Sequence, residues 1–178
     1  EDHNHTTHQY SMGTASVATG SKSVMTINLN RLIQIAARKF FKETQGVDIP
    51  EGQPLAKEMK YDKKALYGFI DAEISEMTGR VHKYQTAFNE IILDFLKADM
   101  LDVYKAGFID MRKQYLTIGV NGLTDAAEFL GLEISPNEEY REFVNTILET
   151  INISNRKDKT RDTMFNTEFV PGENLSGK

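Results

Sequence analysis

The 178 residues contain no cysteine, which removes disulfides, thiolate metal sites, thiol nucleophiles and thiyl radicals from the chemistry this chain can supply. Any sulfur chemistry has to come from elsewhere. Long apolar runs are missing too: none approaches a membrane span, so no membrane partner is expected. The first residues are polar and rich in histidine rather than basic and then apolar, so no secretory signal is read and a cytoplasmic location is expected. Basic charge is in short supply, with 21 Lys and Arg against 26 Asp and Glu. The resulting net charge of −5 argues against a surface that tracks a phosphate backbone, and nucleic acid is not an expected ligand. What is present suits a soluble globular domain, at 40% apolar and 26% charged, and the length can bury a core.

Residues 1–22, rich in His, Thr, Ser and Gly, read as loop, and the β-prone run Val24, Met25, Thr26, Ile27 reads as a short buried strand. Asn28 or Asn30 then caps a helix in which Leu32, Ile33, Ile35, Ala36 and Phe40 recur at helical spacing as far as about Thr44. Two prolines and two glycines within 46–54 interrupt regular structure and require a linker, taken as 46–60. From Ile70 the apolar positions Ile74, Met77, Val81, Tyr84, Phe88, Ile91 and Phe95 follow at alternating spacings of four and three, one seam of a long helix. Asp62 caps its start and 99–105 lies near its end, roughly ten turns on. The seam is expected to pack on its own domain or on a symmetry mate. A dedicated coiled-coil partner fits less well, because Tyr84 and two Phe stand where Leu would be preferred. His82, next to the seam, reads as a surface or rim residue.

A second β-prone run, Tyr115, Leu116, Thr117, Ile118, Gly119, Val120, ends at Asn121-Gly122, where the backbone can turn into a short helix over 123–130. Gly131 stops that helix, and Ser135-Pro136 is expected to start another, with Ser135 as cap and Tyr140, Phe143, Val144, Ile147, Leu148 and Ile151 as its buried stripe. A third strand over 164–170 runs into Pro171-Gly172-Glu173-Asn174, a helix-start signature. The organisation is therefore loop 1–22, strand and helix 23–45, linker 46–60, long helix 61–105, and two strands with helices over 113–178. Strands each followed by helix point to an α/β protein with parallel pairing, whose ligands sit at the carboxyl ends of the strands. A sheet edge awaiting further strands is costly to expose, which suggests neighbours elsewhere in sequence.

The run Gly20-Ser21-Lys22-Ser23-Val24-Met25-Thr26-Ile27-Asn28-Leu29-Asn30-Arg31 resembles the strand that follows the thiyl-radical loop in anaerobic, glycyl-radical (class III) ribonucleoside-triphosphate reductases. Its usual wording there is close to Val-Thr-Ile-Asn-Leu-Pro-Arg, and Asn30 replaces the common proline. Residues 115–123 resemble a barrel strand and turn of the same family. Phe165-Asn166-Thr167-Glu168-Phe169-Val170-Pro171-Gly172-Glu173-Asn174-Leu175 resembles its strand ending in Pro-Ala/Gly-Glu-Ser/Asn. These matches come in the family's order and span nearly the whole chain. The resemblance implies a partial α/β barrel of the ribonucleotide reductase type, with the chain an internal fragment of a ten-stranded barrel. It also implies a thiyl radical that abstracts the ribose 3′-hydrogen before the 2′-hydroxyl leaves as water. A glycyl radical, a four-cysteine zinc site, a homodimer, and an activating partner carrying an iron–sulfur cluster and S-adenosylmethionine belong to the same implication. Without cysteine or a glycyl-radical motif, the piece alone is expected to be inactive.

The turn after the third strand would offer backbone amides and a positive helix end to an anion. The resemblance places nucleotide phosphates there, on Pro171, Gly172, Asn174, Leu175 and Ser176, with the Glu173 carboxylate turned outward; the alternative is an ordinary capped helix start. Asn28 either bonds a ribose hydroxyl, for which its side chain has both donor and acceptor, or simply caps the following helix. Glu168, on the strand face of Asn166 and Val170, is a candidate to move protons to or from the ribose hydroxyls, although some family members lack an acid there and use formate. His3, His5 and His8 could approach one Zn²⁺ or Ni²⁺, but one loop supplies no rigid fourth ligand, so no metal is assigned. Two other function classes stay open: a standalone nucleotide- or phosphate-binding module, and a helical homo-oligomerisation domain built on the long seam.

Overall fold

The structure, a computed structural model, describes residues 20–56 and 59–170. In chain order it comprises β1 (Gly20–Asn28), α1 (Leu29–Gln45), α2 (Lys63–Lys97), the one-turn α3 (Asp102–Lys105), a 3-10 turn (Met111–Lys113), β2 (Gln114–Asn121), α4 (Leu123–Phe129), α5 (Glu138–Asp158) and β3 (Met164–Phe169). The three strands pair in the order β1-β2-β3 and both pairings are parallel. Among the described residues the sheet is open, with β1 and β3 as its edges. A parallel pair needs a long crossover. Here α1 and α2 lie between β1 and β2, and α4 and α5 between β2 and β3.

Strand alternation sorts the sheet into two unlike faces. Ile27, Ile118 and Val120 are buried on one of them, in a core shared with Leu32 and Ile33 of α1, Ile70 and Ile74 of α2 and Ile147 and Ile151 of α5. That burial is what fastens the helices to the sheet. The other face carries Thr26 and Asn28 of β1, Thr117, Gly119 and Asn121 of β2, and Asn166 and Glu168 of β3. The starts of α1 and α2 follow side-chain capping. Asn28 Oδ1 accepts from the Arg31 amide at 3.0 Å and Asp62 Oδ1 from the Ala65 amide at 3.2 Å.

Four expectations need correcting. Strand β1 begins at Gly20, inside the stretch read as loop, and is irregular between Ser21 and Ser23. Ser135 does not cap α5; Asn137 does, its Oδ1 accepting from the Tyr140 amide at 2.8 Å while its Nδ2 donates to Ser135 Oγ and the Glu133 carbonyl. The long helix stops at Lys97, because Asp99 adopts the left-handed region at φ 63°, and α3 is a separate turn. Its seam is buried at Ile70, Ile74 and Val81, whereas Tyr84, Phe88, Ile91 and Phe95 are exposed. Beyond Val81 the buried face of α2 passes to a parallel stripe of polar residues.

Candidate functional site

The carboxyl ends of the strands lie along one edge of the sheet, and the register fixes which residues meet there. Thr26, Gly119 and Glu168 form one row across the three strands, and Asn28 pairs with Asn121 at the tips of β1 and β2. Adjacent strands run about 4.8 Å apart, so Asn28 and Glu168 belong to one face with a single strand between them. Glycine at the centre of the row has a steric cause. A Cβ on Gly119 would come within 2.6 Å of both Thr26 Oγ1 and Val170 Cγ2. Further down the same face the Thr117 hydroxyl lies 2.7 Å from Asn166 Oδ1 and 2.7 Å from Ser21 Oγ, linking all three strands.

At the tips, Gly122 takes a left-handed conformation at φ 71° as the chain turns from β2 into α4, a geometry that favours glycine. A side chain there would also crowd Asn28 Oδ1 at 3.2 Å and Asn30 Cβ at 3.1 Å. Asn28 therefore acts as the cap of α1, the plainer of its two expected roles, and that role uses only its oxygen. Asn121 differs: its Oδ1 is buried and has no hydrogen-bond partner among the described residues. Glu168 is half-buried in the row described above. Along the free edge of β1 a groove of about 520 Å³ opens against α2, lined by Val24, Thr26, Asn28, Arg31, Arg80 and Tyr84 among others.

The opposite end of the sheet is closed by a lysine. Lys22 Nζ donates to the carbonyls of Met111, just before β2, and of Asp162, just before β3, at 3.3 and 3.5 Å. Burial pushes its pKa below the usual lysine value, with Asp162 and Glu90 opposing that shift. This cation ties strand entries together, far from the polar tips.

Two sequence candidates lie outside the described residues: the turn of Pro171, Gly172, Glu173, Asn174, Leu175 and Ser176, and the histidines His3, His5 and His8. Among the described residues no group of three or more His, Asp or Glu is placed to hold a metal ion. His82 is not the surface residue expected. It is 3% exposed, stacked on Phe165 at 3.9 Å between centroids, with Nδ1 2.7 Å from Asp158 Oδ2 and Nε2 2.9 Å from Asn155 Oδ1. Thr78, His82, Gln85 and Asn89 are the polar stripe that replaces the apolar seam, and Gln85 Nε2 donates to the Thr117 carbonyl at 2.7 Å. Their helical spacing was the available signal.

Helices on one face of a three-stranded parallel sheet and polar residues on the other, gathered at the carboxyl ends, define an α/β protein. The family model described as anaerobic ribonucleoside-triphosphate reductase matches residues 3–178, and the chain belongs to that family. Solved structures agree at the level of fold. An anaerobic ribonucleotide reductase from Thermotoga maritima with glycerol in its active site superposes with a TM-score of 0.68 at 23% identity, over 90% of this chain and 23% of that one. The T. maritima enzyme with citrate in its active site gives 0.66 at 24% identity, over 88% of this chain and 25% of that one. A further anaerobic ribonucleotide reductase gives 0.64 at 24%, over 84% and 21%. No curated protein sequence matches the chain. The chain thus spans a quarter or less of the length of these solved relatives.

Proposed function

We propose that the chain supplies substrate-binding strands to the catalytic barrel of an anaerobic ribonucleoside-triphosphate reductase, holding a ribonucleoside triphosphate over the polar face at the strand tips. The observation that carries this is the single row of Thr26, Gly119 and Glu168, with Asn28 on the same face one pleat beyond Thr26. A sugar lying on that face meets amide, hydroxyl and carboxylate groups together. Glu168 moves protons to or from the ribose hydroxyls, Asn28 offers its Nδ2 to one of them, and residues 171–176 hold the phosphates. The zinc and thiyl radical associated with the family need cysteines, of which this chain has none, so its residues bind and orient the nucleotide and transfer protons only. The radical, the second protomer and the iron–sulfur activating partner come from outside these residues.

Changing Glu168 to Gln in the complete reductase polypeptide tests the assignment. Turnover should fall by roughly 10²- to 10⁴-fold, the range for loss of a general acid or base, while the nucleotide still binds. Unchanged turnover would remove the role, and loss of binding would recast Glu168 as a structural residue.

A further inference from the structure

We propose that Asn121 is a substrate-contacting residue whose buried carboxamide oxygen takes a hydrogen bond from a ribose hydroxyl. The assignment rests on the reductase reading above and adds to it a residue at the tip of the central strand. A buried polar atom left without a partner is uncommon and costs free energy that a bound ligand can recover. Among the described residues Asn121 Oδ1 is such an atom, and it belongs to the last residue of β2, register partner of Asn28 on β1.

The chemistry of the pair selects the group between them. Asn28 Oδ1 is committed to the Arg31 amide, which leaves that side chain its Nδ2 donors. Asn121 offers the complementary acceptor. A hydroxyl is both acceptor and donor, so one hydroxyl can receive from Asn28 Nδ2 and give to Asn121 Oδ1. Phosphate oxygens cannot, because at neutral pH they act chiefly as acceptors and would face an acceptor. Nucleobase amines differ from one nucleotide to the next, whereas the 2′- and 3′-hydroxyls are common to all.

The test compares equilibrium binding of a ribonucleoside triphosphate with that of its 2′-deoxy and 3′-deoxy counterparts, using the complete reductase polypeptide. The wild type should favour the full ribose over at least one counterpart. Asn121→Ala should shrink one of those two preferences by up to about tenfold, the order of one uncharged hydrogen bond, and leave the other in place. Asn121→Ser, which keeps a polar side chain but cannot reach as far, carries the same comparison if the alanine variant does not fold. Both preferences intact in a folded variant would overturn the role of Asn121 and spare the wider reading. Equal binding of all three nucleotides by the wild type would overturn both.

Discussion

His82 joins three elements at one point: its ring stacks on Phe165 of β3 while its two nitrogens meet Asp158 and Asn155 of α5. Asn155 in turn donates to the Thr167 hydroxyl at 2.9 Å, so the network closes back onto the sheet. Removing the ring opens a cavity and takes from Asn155 Oδ1 its His82 partner. His82→Ala should therefore cost about 2–4 kcal/mol, read from the urea midpoint of unfolding. A loss under about 1 kcal/mol would mean that the ring occupies the gap without holding it.

The contrast between His82 and Asp62 shows what the sequence could and could not announce. Asp62, Gly131 and Asn28 act locally, through backbone groups within a few residues, and each does what its position suggested. The parallel order also follows from strand and helix alternation. His82 depends on Asp158 and Phe165, 76 and 83 residues away, and no local pattern carries such a distance. The α2 seam failed for a related reason. Tyr84 and Phe88 share the apolar period with Ile70 and Ile74, yet the helix runs past the elements that cover its first half, while Gln85 and Asn89 turn inward. Two stripes of equal period were present, and periodicity alone does not choose between them. At the candidate site the sequence offers Asn28 and Glu168 as candidates, whereas only the buried oxygen of Asn121 makes that residue one.

Tyr61 and Tyr67 set an alkaline limit on stability. Burial pushes both hydroxyls above the usual tyrosine value, so the folded state holds their protons more tightly than the unfolded chain does. Their contribution is complete below the unfolded value of about 10 and is lost as pH rises through the higher folded values. Lys63 acts in the same sense: burial opposes its charge, but hydrogen bonds to Glu142 and Glu139 outweigh that and raise it. Lys22, lowered by burial, runs the other way and gains as pH rises. Unfolding free energy should fall as pH rises above about 10, less steeply when Tyr61 and Tyr67 are both replaced by Phe. An unaltered slope in that double variant would acquit the tyrosines.

Val81 and Phe88 are seven positions apart on one seam, but the first is 5% exposed and the second 44%. Glutamate at Val81 would bury a charge, which should cost more than about 3 kcal/mol. At Phe88 it should stay within about 0.5 kcal/mol. Urea unfolding separates the two, and sedimentation of Phe88→Glu addresses the oligomerisation alternative at the same time. Dispersal of a self-associated wild type by that variant would make the exposed Tyr84, Phe88, Ile91 and Phe95 an interface between copies. Equal stability of the two variants would contradict the packing of α2.

Glycine-to-alanine changes should have opposite signs in the two kinds of element. Gly68 and Gly79 sit inside α2 with open space where a Cβ would go, so alanine there should stabilise by about 0.5–1 kcal/mol through the backbone entropy it removes. At Gly119 the same methyl meets Thr26 Oγ1 of β1 and Val170 Cγ2, just past the end of β3, at 2.6 Å. Both side chains would have to turn aside, with the Thr26 backbone Cα only 3.3 Å away, and overpacking of this kind costs about 1–3 kcal/mol. Because Gly119 also stands between Thr26 and Glu168, Gly119→Ala should weaken nucleotide binding in the complete reductase even where the fold survives. Denaturant midpoints of the three variants decide the stability part. A stabilising Gly119→Ala would show that the strand tips are not packed as described.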